Sequence, residues 1–368
     1  MSLALYRKYR PTTLDDVIGQ DHIVEILKNA ARREKFAHAY LFYGPRGTGK
    51  TTTARLLAKL ANCEKRSADV KFRETGEPCN TCKPCGEISV GRGLDVVEID
   101  AASNRGIDEI RNLRESIRLS PSSYRYKIFI IDEVHQLTKD AFNALLKTLE
   151  EPPVHAILIL ATTEYEKVPV TITSRTQRYH FKKVGIAQLI EKLRTIIKAE
   201  NLTVSDDALE LIASSAEGSF RDAESLLDQI TSLEEDVSLE SVEKIVGKIG
   251  FSRTAQLAQF LLERNLEASL SFIQEINEGG YNVVDLTKEL IHYLRRVLTV
   301  TFDKQLLSIY EREFTKVEIE LIKKHSALMS EAHIPLLRAL IRAYSEMRYS
   351  PFMSVPLEVA LIEHLRKS

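Results

Sequence analysis

Residues 44–51 read GPRGTGKT, a G-x-x-x-x-G-K-T pattern with the apolar run AYLFY (39–43) before it and the helix-compatible TTTARLLAK after it. A strand feeding a glycine-rich turn that opens a helix is the context a phosphate-binding loop requires. Glycines let the backbone wrap close to phosphates, and amide hydrogens at the helix N-terminus face the negative charge. Lys50 is placed to reach the β- and γ-phosphates of ATP, and Thr51 to ligate Mg²⁺. Gly44, Pro45, Arg46, Gly47, Thr48, Gly49, Lys50, Thr51 and Thr52 are therefore candidate ATP-binding residues. From average composition, a chance match in a chain of this size is roughly one in a hundred. The plain alternative is an ordinary glycine-rich turn.

Working outward, IFIIDE at 128–133 ends a second apolar run with two adjacent carboxylates. The C-terminal edge of a sheet is where α/β folds bind ligands, so Asp132 suits the Mg²⁺ site. Glu133, one residue on, is free to orient and deprotonate an attacking water. Asp-Glu could instead merely cap the helix expected after Thr138. Further apolar runs at 95–99, 156–161 and 178–181 alternate with helical segments, the first at 21–33. Buried runs separated by helices predict a parallel sheet with helices on both faces over about 1–180. From 181 the pattern turns helical, with Gly218 and Gly247 as stops, which predicts a small helical domain to 246. Beyond Gly280 the chain has no glycine, and Leu286, Leu290 and Leu294 keep helical spacing. Residues 247–368 are thus expected to form an all-α domain.

The 368 residues are 44% hydrophobic and 28% charged, the balance of a globular protein with a large core. The apolar runs are far too short for a membrane span. The start, MSLALYRKYRP, has no room for a secretory segment, so a cytoplasmic protein is expected. The net charge of −1 excludes a global basic field, so any nucleic acid must be held by a local patch or by helix ends. All four cysteines, Cys63, Cys79, Cys82 and Cys85, fall in one insertion at about 62–92. Two overlapping C-x₂-C steps plus one distant thiol match a closed four-thiolate Zn²⁺ site. Free buried cysteines or an iron–sulfur cluster are the alternatives, since sulfur ligation alone does not separate zinc from iron.

These residues resemble bacterial DNA polymerase III subunit gamma/tau, an AAA+ clamp-loader ATPase family. The resemblance is carried by YRKYRP (6–11), VIGQDH (17–22), HAYLFYGPRGTGKTTTARLLAK (38–59), the four-cysteine insertion and EIDAASNRGID (98–108). It continues through DEVHQLTKDAFNALLKTLEEPP (132–153), LATT (160–163), TSR (173–175) and GSFRDAESLLDQ (218–229). Beyond about 250 it rests on helical character and position. It implies an AAA+ domain, a helical lid carrying sensor two, and a helical collar used for oligomerisation. It also implies that the chain ends after the collar, without the C-terminal tail through which tau forms reach polymerase and helicase.

Several roles come from the resemblance alone. Thr163, with Thr162 as its alternative, takes the sensor-one position. Arg175 matches a serine-arginine-cysteine motif whose arginine acts in trans on the neighbour's ATP, although Thr176 stands in place of the cysteine. Arg221 matches sensor two. Tyr6, Arg10, Pro11, Val17 and Ile18 match the segment that encloses adenine. Arg221 also has a physical argument: it lies in the first turn of a helix begun by Ser219, where the macrodipole disfavours a cation and an anionic ligand would explain it. Arg111, Arg114 and Arg118 share a helical face after the second strand, with Arg105 just before the helix start. Arg105 and Arg111 are candidate DNA contacts; a solvated face neutralised by Glu109 and Glu115 is the alternative.

The expected function is an ATPase motor that opens a sliding clamp, grips primer–template DNA and releases both on hydrolysis. Its implied partners are the delta and delta-prime subunits, further gamma/tau copies in a hetero-pentamer, the beta clamp and DNA, with no membrane. Two other readings compete. A non-hydrolysing stator similar to delta-prime would have a degraded phosphate loop, and a branch-migration motor would lack the cysteine insertion and end in a winged helix.

Overall fold

The computed structural model describes residues 3–104, 106–233, 236–247, 249–311 and 314–366. Two compact units emerge: Met1–Val184 together with Ser219–Asp222, and Gly185–Gly218 together with Ala223–Ser368.

The first unit is built on five parallel strands, β1 (Ala39–Tyr43), β2 (Val96–Asp100), β3 (Lys127–Asp132), β4 (Ala156–Thr162) and β5 (Gln177–His180), in the order β2-β3-β4-β1-β5. Each apolar run supplies both faces, because successive side chains point to opposite sides. Tyr40, Phe42, Ile128, Ile130, Ile157 and Ile159 pack with Leu27 and Leu57 from helices on one side. Leu41, Phe129, Ile131, Leu158 and Leu160 pack with Leu113 and Leu145 from helices on the other. Burial of each such side chain contributes about 1.5–3 kcal/mol, which is what makes the sheet the unit's core. Strand and helix limits agree with the sequence reading to within about one residue at most ends. With β4 seated between β1 and β3, the ends of all three strands converge on one edge.

In the second unit, the helices Ile186–Glu200 and Asp206–Ser215, the helix Phe220–Thr231 from Ala223 onward, and the helix Leu239–Val246 come first, and a two-residue ladder pairs Thr203–Val204 with Asp236–Val237. Gly247 ends the last of these helices in the left-handed region (φ 67°), the conformation a helix-stopping glycine supplies. The 20-residue helix Val283–Phe302 then runs through an apolar core of Leu257, Leu261, Ile273, Leu290, Leu294 and Leu340. Among the described residues, no helix is long and apolar enough to cross a membrane.

Candidate nucleotide site and cysteine cluster

The turn between β1 and the helix Lys50–Asn62 has three glycines in conformations that L side chains rarely adopt: Gly44 (φ 140°), Gly47 (φ 71°) and Gly49 (φ 99°). A β-carbon on Gly44 would stand 2.1 Å from the Phe181 carbonyl oxygen, and one on Gly47 would stand 1.8 Å from Ser219 Oγ. The turn is thus wrapped tightly against its surroundings, with its amides gathered at a helix N-terminus. Lys50 is buried, and its ammonium donates to the carbonyls of Gly44 (2.8 Å) and Pro45 (2.7 Å). Burial pulls its pKa below the ordinary lysine value, while Glu133 and Asp132 act the other way. Thr48 donates to Pro45, and Arg46 is exposed. Thr51 and Thr52 are half-buried at the start of the helix.

The strand order brings the acids to this turn. Thr51 Oγ1 donates to Asp132 Oδ2 at 2.7 Å, although 81 positions separate them. Glu133 takes a left-handed backbone (φ 47°), and its Oε2 accepts from the Thr163 amide (3.1 Å) and hydroxyl (2.8 Å). Thr162 is fully buried, and its hydroxyl meets His135 Nδ1 instead (2.9 Å). The geometry therefore separates the two threonines. Of the two, Thr163 is the one that touches the carboxylate.

Four guanidinium groups, those of Arg7, Arg10, Arg55 and Arg221, lie close enough to influence one another. Arg221 stands over the Tyr6 ring at 5.3 Å, on a helix whose N-cap Ser219 accepts from the Asp222 amide. Arg10 is held below its usual pKa by burial and by neighbouring Arg55, with Arg7 and Arg221 adding to the effect. Arg55 pairs with Glu98 through two 2.7 Å bonds. So much positive charge beside a helix N-terminus favours a polyanion. Pro11 and Ile18 are half-buried, whereas Val17 is packed into the core under the sheet.

Arg175 lies elsewhere. It precedes β5, which runs parallel to β1, so it sits at the N-terminal edge of the sheet while the glycine turn follows the C-terminal edge. It is half-exposed and reaches Glu150 (2.9 Å) and the Thr171 carbonyl (3.0 Å). Arg105 falls outside the described residues. Arg111 is exposed on the helix Ile107–Arg118. At that helix's start, Glu109 Oε2 lies 2.3 Å from where a Gly106 β-carbon would stand, so a carboxylate already faces the N-terminus.

The sulfurs of Cys63, Cys79, Cys82 and Cys85 all lie within 4.8 Å of one another. Cys79 and Cys85 are 4.0 Å apart, far beyond a disulfide bond and close to the roughly 3.8 Å edge of a tetrahedron of 2.3 Å metal–sulfur bonds. Amides of Cys79, Thr81 and Cys82 donate to the sulfurs, and the Lys59 ammonium lies near Cys85 and Cys79. Hydrogen bonding from Cys85 and from backbone amides lowers the Cys63 thiol, which favours thiolate at this position. The cluster is compatible with a four-thiolate metal.

Two residues matter to this geometry in ways the sequence reading did not name: His135 had no role there, and Ser219 only that of beginning a helix. Ser219 packs on Gly47, and His135 contacts Glu133. His135 stands two positions after the acid in DEVH, a spacing that could have drawn attention to it.

The sequence matches known proteins along nearly its whole length. Residues 19–185 match the family model described as DNA polymerase III, delta subunit. Residues 188–233 match the DNA polymerase III clamp loader subunit ATPase lid domain, and residues 237–367 match domain III of subunits gamma and tau. DNA polymerase III subunit tau of Bacillus subtilis (strain 168) is 42% identical over 98% of this chain and 62% of its own length. The tau subunit of Escherichia coli (strain K12) is 37% identical over 98% of this chain and 55% of its own length. Subunit gamma of Buchnera aphidicola subsp. Schizaphis graminum is 35% identical over 98% of this chain and 97% of its own length. The chain thus spans less than two thirds of the tau relatives and nearly all of that gamma relative. A P-loop sheet with its acids at the strand tips, followed by a lid and a gamma/tau-type helical domain, places this chain in the DNA polymerase III gamma/tau family of AAA+ proteins.

Proposed function

We propose that this chain is an ATP-hydrolysing motor subunit of a cytoplasmic DNA polymerase III clamp loader. It would act as an AAA+ domain (1–180, with its metal module at about 62–92), a lid (181–246) and an oligomerising collar (247–368). Its partners would be delta, delta-prime and further gamma/tau copies in a hetero-pentamer, the beta clamp, and primer–template DNA. ATP binding would open the clamp and grip DNA, and hydrolysis would release both. The observation that carries this reading is the joining of Thr51 to Asp132 at 2.7 Å and of Glu133 to Thr163 at 2.8 Å beside buried Lys50. A stator has no use for a complete hydrolytic set.

The chain's own groups divide the work. The turn's amides bind the phosphates, and Lys50 exchanges the Gly44 and Pro45 carbonyls for phosphate oxygens. Thr51 and Asp132 would hold Mg²⁺, which when bound neutralises and orients the phosphates. Glu133 Oε2 is anchored on Thr163, which leaves Oε1 to take the proton of the attacking water. Through the same contact Thr163 connects that carboxylate to the γ-phosphate. Arg221 leaves the Tyr6 ring for the phosphates, and Tyr6, Arg10, Pro11, Val17 and Ile18 shape the adenine side. Arg175 would serve the neighbouring subunit's ATP, where such an arginine contributes around 10³–10⁵ in rate. Cys63, Cys79, Cys82 and Cys85 would hold Zn²⁺, which cross-links the insertion. Arg105 and Arg111 would touch DNA phosphates.

The test is binding of fluorescent ATP to the wild type and to Lys50→Ala. Loss of affinity by at least about tenfold, equivalent to about 1.4 kcal/mol, is expected. Equal affinity in the two proteins would remove the basis for the proposal.

A further inference from the structure

His135 belongs to the network around Glu133, although it lies outside the phosphate turn and the strand ends. His135 sits in the short 3₁₀ turn Val134–Gln136, and its side chain is only 4% exposed. The left-handed backbone at Glu133 creates this turn, closed by the Gln136 amide donating to the Glu133 carbonyl at 2.8 Å. A non-glycine residue in that conformation costs about 1–2 kcal/mol, so the turn persists only because its surroundings hold it. What the turn achieves is to fold the imidazole back onto the carboxylate. His135 Nδ1 lies 3.3 Å from Glu133 Oε2 and 2.9 Å from Thr162 Oγ1. On the far side Nε2 lies 3.1 Å from Glu164 Oε1 and 2.9 Å from the Gln136 side-chain amide. Thr162 is itself fixed, because its hydroxyl oxygen accepts from the Glu164 amide at 3.0 Å. The ring is therefore held at both nitrogens, and the contacts that Thr163 and His135 make to Glu133 fall on the same carboxylate oxygen, Oε2.

We infer that His135 is a positioning residue for hydrolysis: clamped between Thr162 and Glu164, its ring works with Thr163 to pin Oε2 of Glu133 so that Oε1 alone is aimed at the attacking water. The inference rests on Glu133 being the water-activating carboxylate. A glutamate on a flexible stem gains from such a clamp because small misplacements of a catalytic group are costly, about a hundredfold for 1 Å. In this reading His135 acts through Glu133 and not on the nucleotide itself, so its loss should leave ATP binding alone.

The experiment is steady-state ATPase of the reconstituted clamp-loader complex with clamp and primed DNA, for the wild type, His135→Leu, His135→Asn, Thr162→Val and Glu133→Gln. His135→Leu fills the volume without hydrogen bonds, whereas His135→Asn retains a polar group near the Nδ1 position. The expected result for His135→Leu is a kcat lowered roughly tenfold to a hundredfold with KM unchanged within about twofold. His135→Asn should recover most of that loss, and Thr162→Val, which frees the ring, should fall between. If His135→Leu restores turnover as well as His135→Asn does, the ring is only packing and the inference is overturned. Unchanged kcat in every His135 and Thr162 variant while Glu133→Gln is inactive would also overturn it, leaving the role of Glu133 intact. If Glu133→Gln itself keeps turning over, the reading beneath the inference fails first. Should His135→Leu not fold, Thr162→Val against wild type decides: full activity there overturns the inference.

Discussion

Gly47 shows how much a single position can be asked to do. Its φ of 71° already disfavours any side chain, a β-carbon would strike Ser219 Oγ, and its carbonyl accepts the Phe220 amide at 3.1 Å. The glycine thus joins the phosphate turn to the start of the helix that carries Arg221. Gly47→Ala should weaken ATP binding by about tenfold or more, from about 1–2 kcal/mol of backbone strain plus the clash. Ser219→Gly in the same chain removes the clash but not the strain, and glycine is a tolerated N-cap. Titration of ATP into the two variants should therefore show partial recovery in the double variant. No recovery would mean that Ser219 is not what the alanine meets. At this scale the sequence was informative about residue types whose chemistry has a fixed spacing. Lys50, Thr51, Asp132 and the four cysteines could be picked out because phosphate and thiolate sites impose local patterns. The roles of His135 and Ser219 could not be read in the same way: the D-E-V-H spacing marks His135 as a neighbour of the acid, but its contact depends on a left-handed turn, and that of Ser219 on packing between distant segments.

Among the elements, the cysteine insertion is the clearest case of local structure that depends on a cross-link. Its helices Glu64–Ala68, Val70–Arg73 and Lys83–Ser89 have 5, 4 and 7 residues, too short to be stable by themselves. Metal binding would supply the missing free energy. Exhaustive chelation or Cys82→Ser should therefore lower the melting temperature by several degrees, at about 2–4 °C per kcal/mol for a domain of this size. Metal analysis should find one ion per chain, and an unchanged melting temperature after its removal would argue against a structural metal. The helix Lys316–Ser326 offers a pH-dependent counterpart. Burial raises the pKa of Glu318 from 4.5 to about 7, with Glu210 adding to the rise while bonds from the Thr315 amide and hydroxyl oppose it. Between pH 4.5 and 7 the folded chain keeps a proton that the unfolded chain has released, so stability falls as pH rises through that window. The total is at most about 3 kcal/mol. Glu318→Gln should raise the melting temperature at pH 8 and change it little at pH 5; an equal effect at both would show that the carboxyl is ionised throughout. Composition and periodicity made these helices legible, but not the two carboxyls that meet near Thr315, since their approach is set by tertiary packing.

For the molecule as a whole, strand order governs the chemistry. Placing β4 between β1 and β3 brings Thr163 to Glu133 and Asp132 to Thr51, and alternation of apolar runs with helices foretold the parallel sheet but not this order. Ser219–Asp222 belongs to the same compact unit as the sheet, although the chain around it belongs to the other, which no linear division of the sequence expresses. The same sheet puts Arg175 at the wrong edge for its own phosphate turn. The paired stretch from Tyr40↔Gln177 to Tyr43↔His180 alone accounts for roughly 10 Å between the two edges. An arginine so placed, if it acts on ATP, acts on that of another subunit. Steady-state ATP hydrolysis by the reconstituted complex carrying Arg175→Ala, with the isolated chain run beside it, tests this most directly. If Arg175 serves a neighbouring ATP, the isolated chain is feeble, the wild-type complex is strongly active, and the Arg175→Ala complex binds ATP normally but hydrolyses it about a thousandfold more slowly. An isolated chain as active as the complex, or an Arg175→Ala complex at full rate, would contradict it.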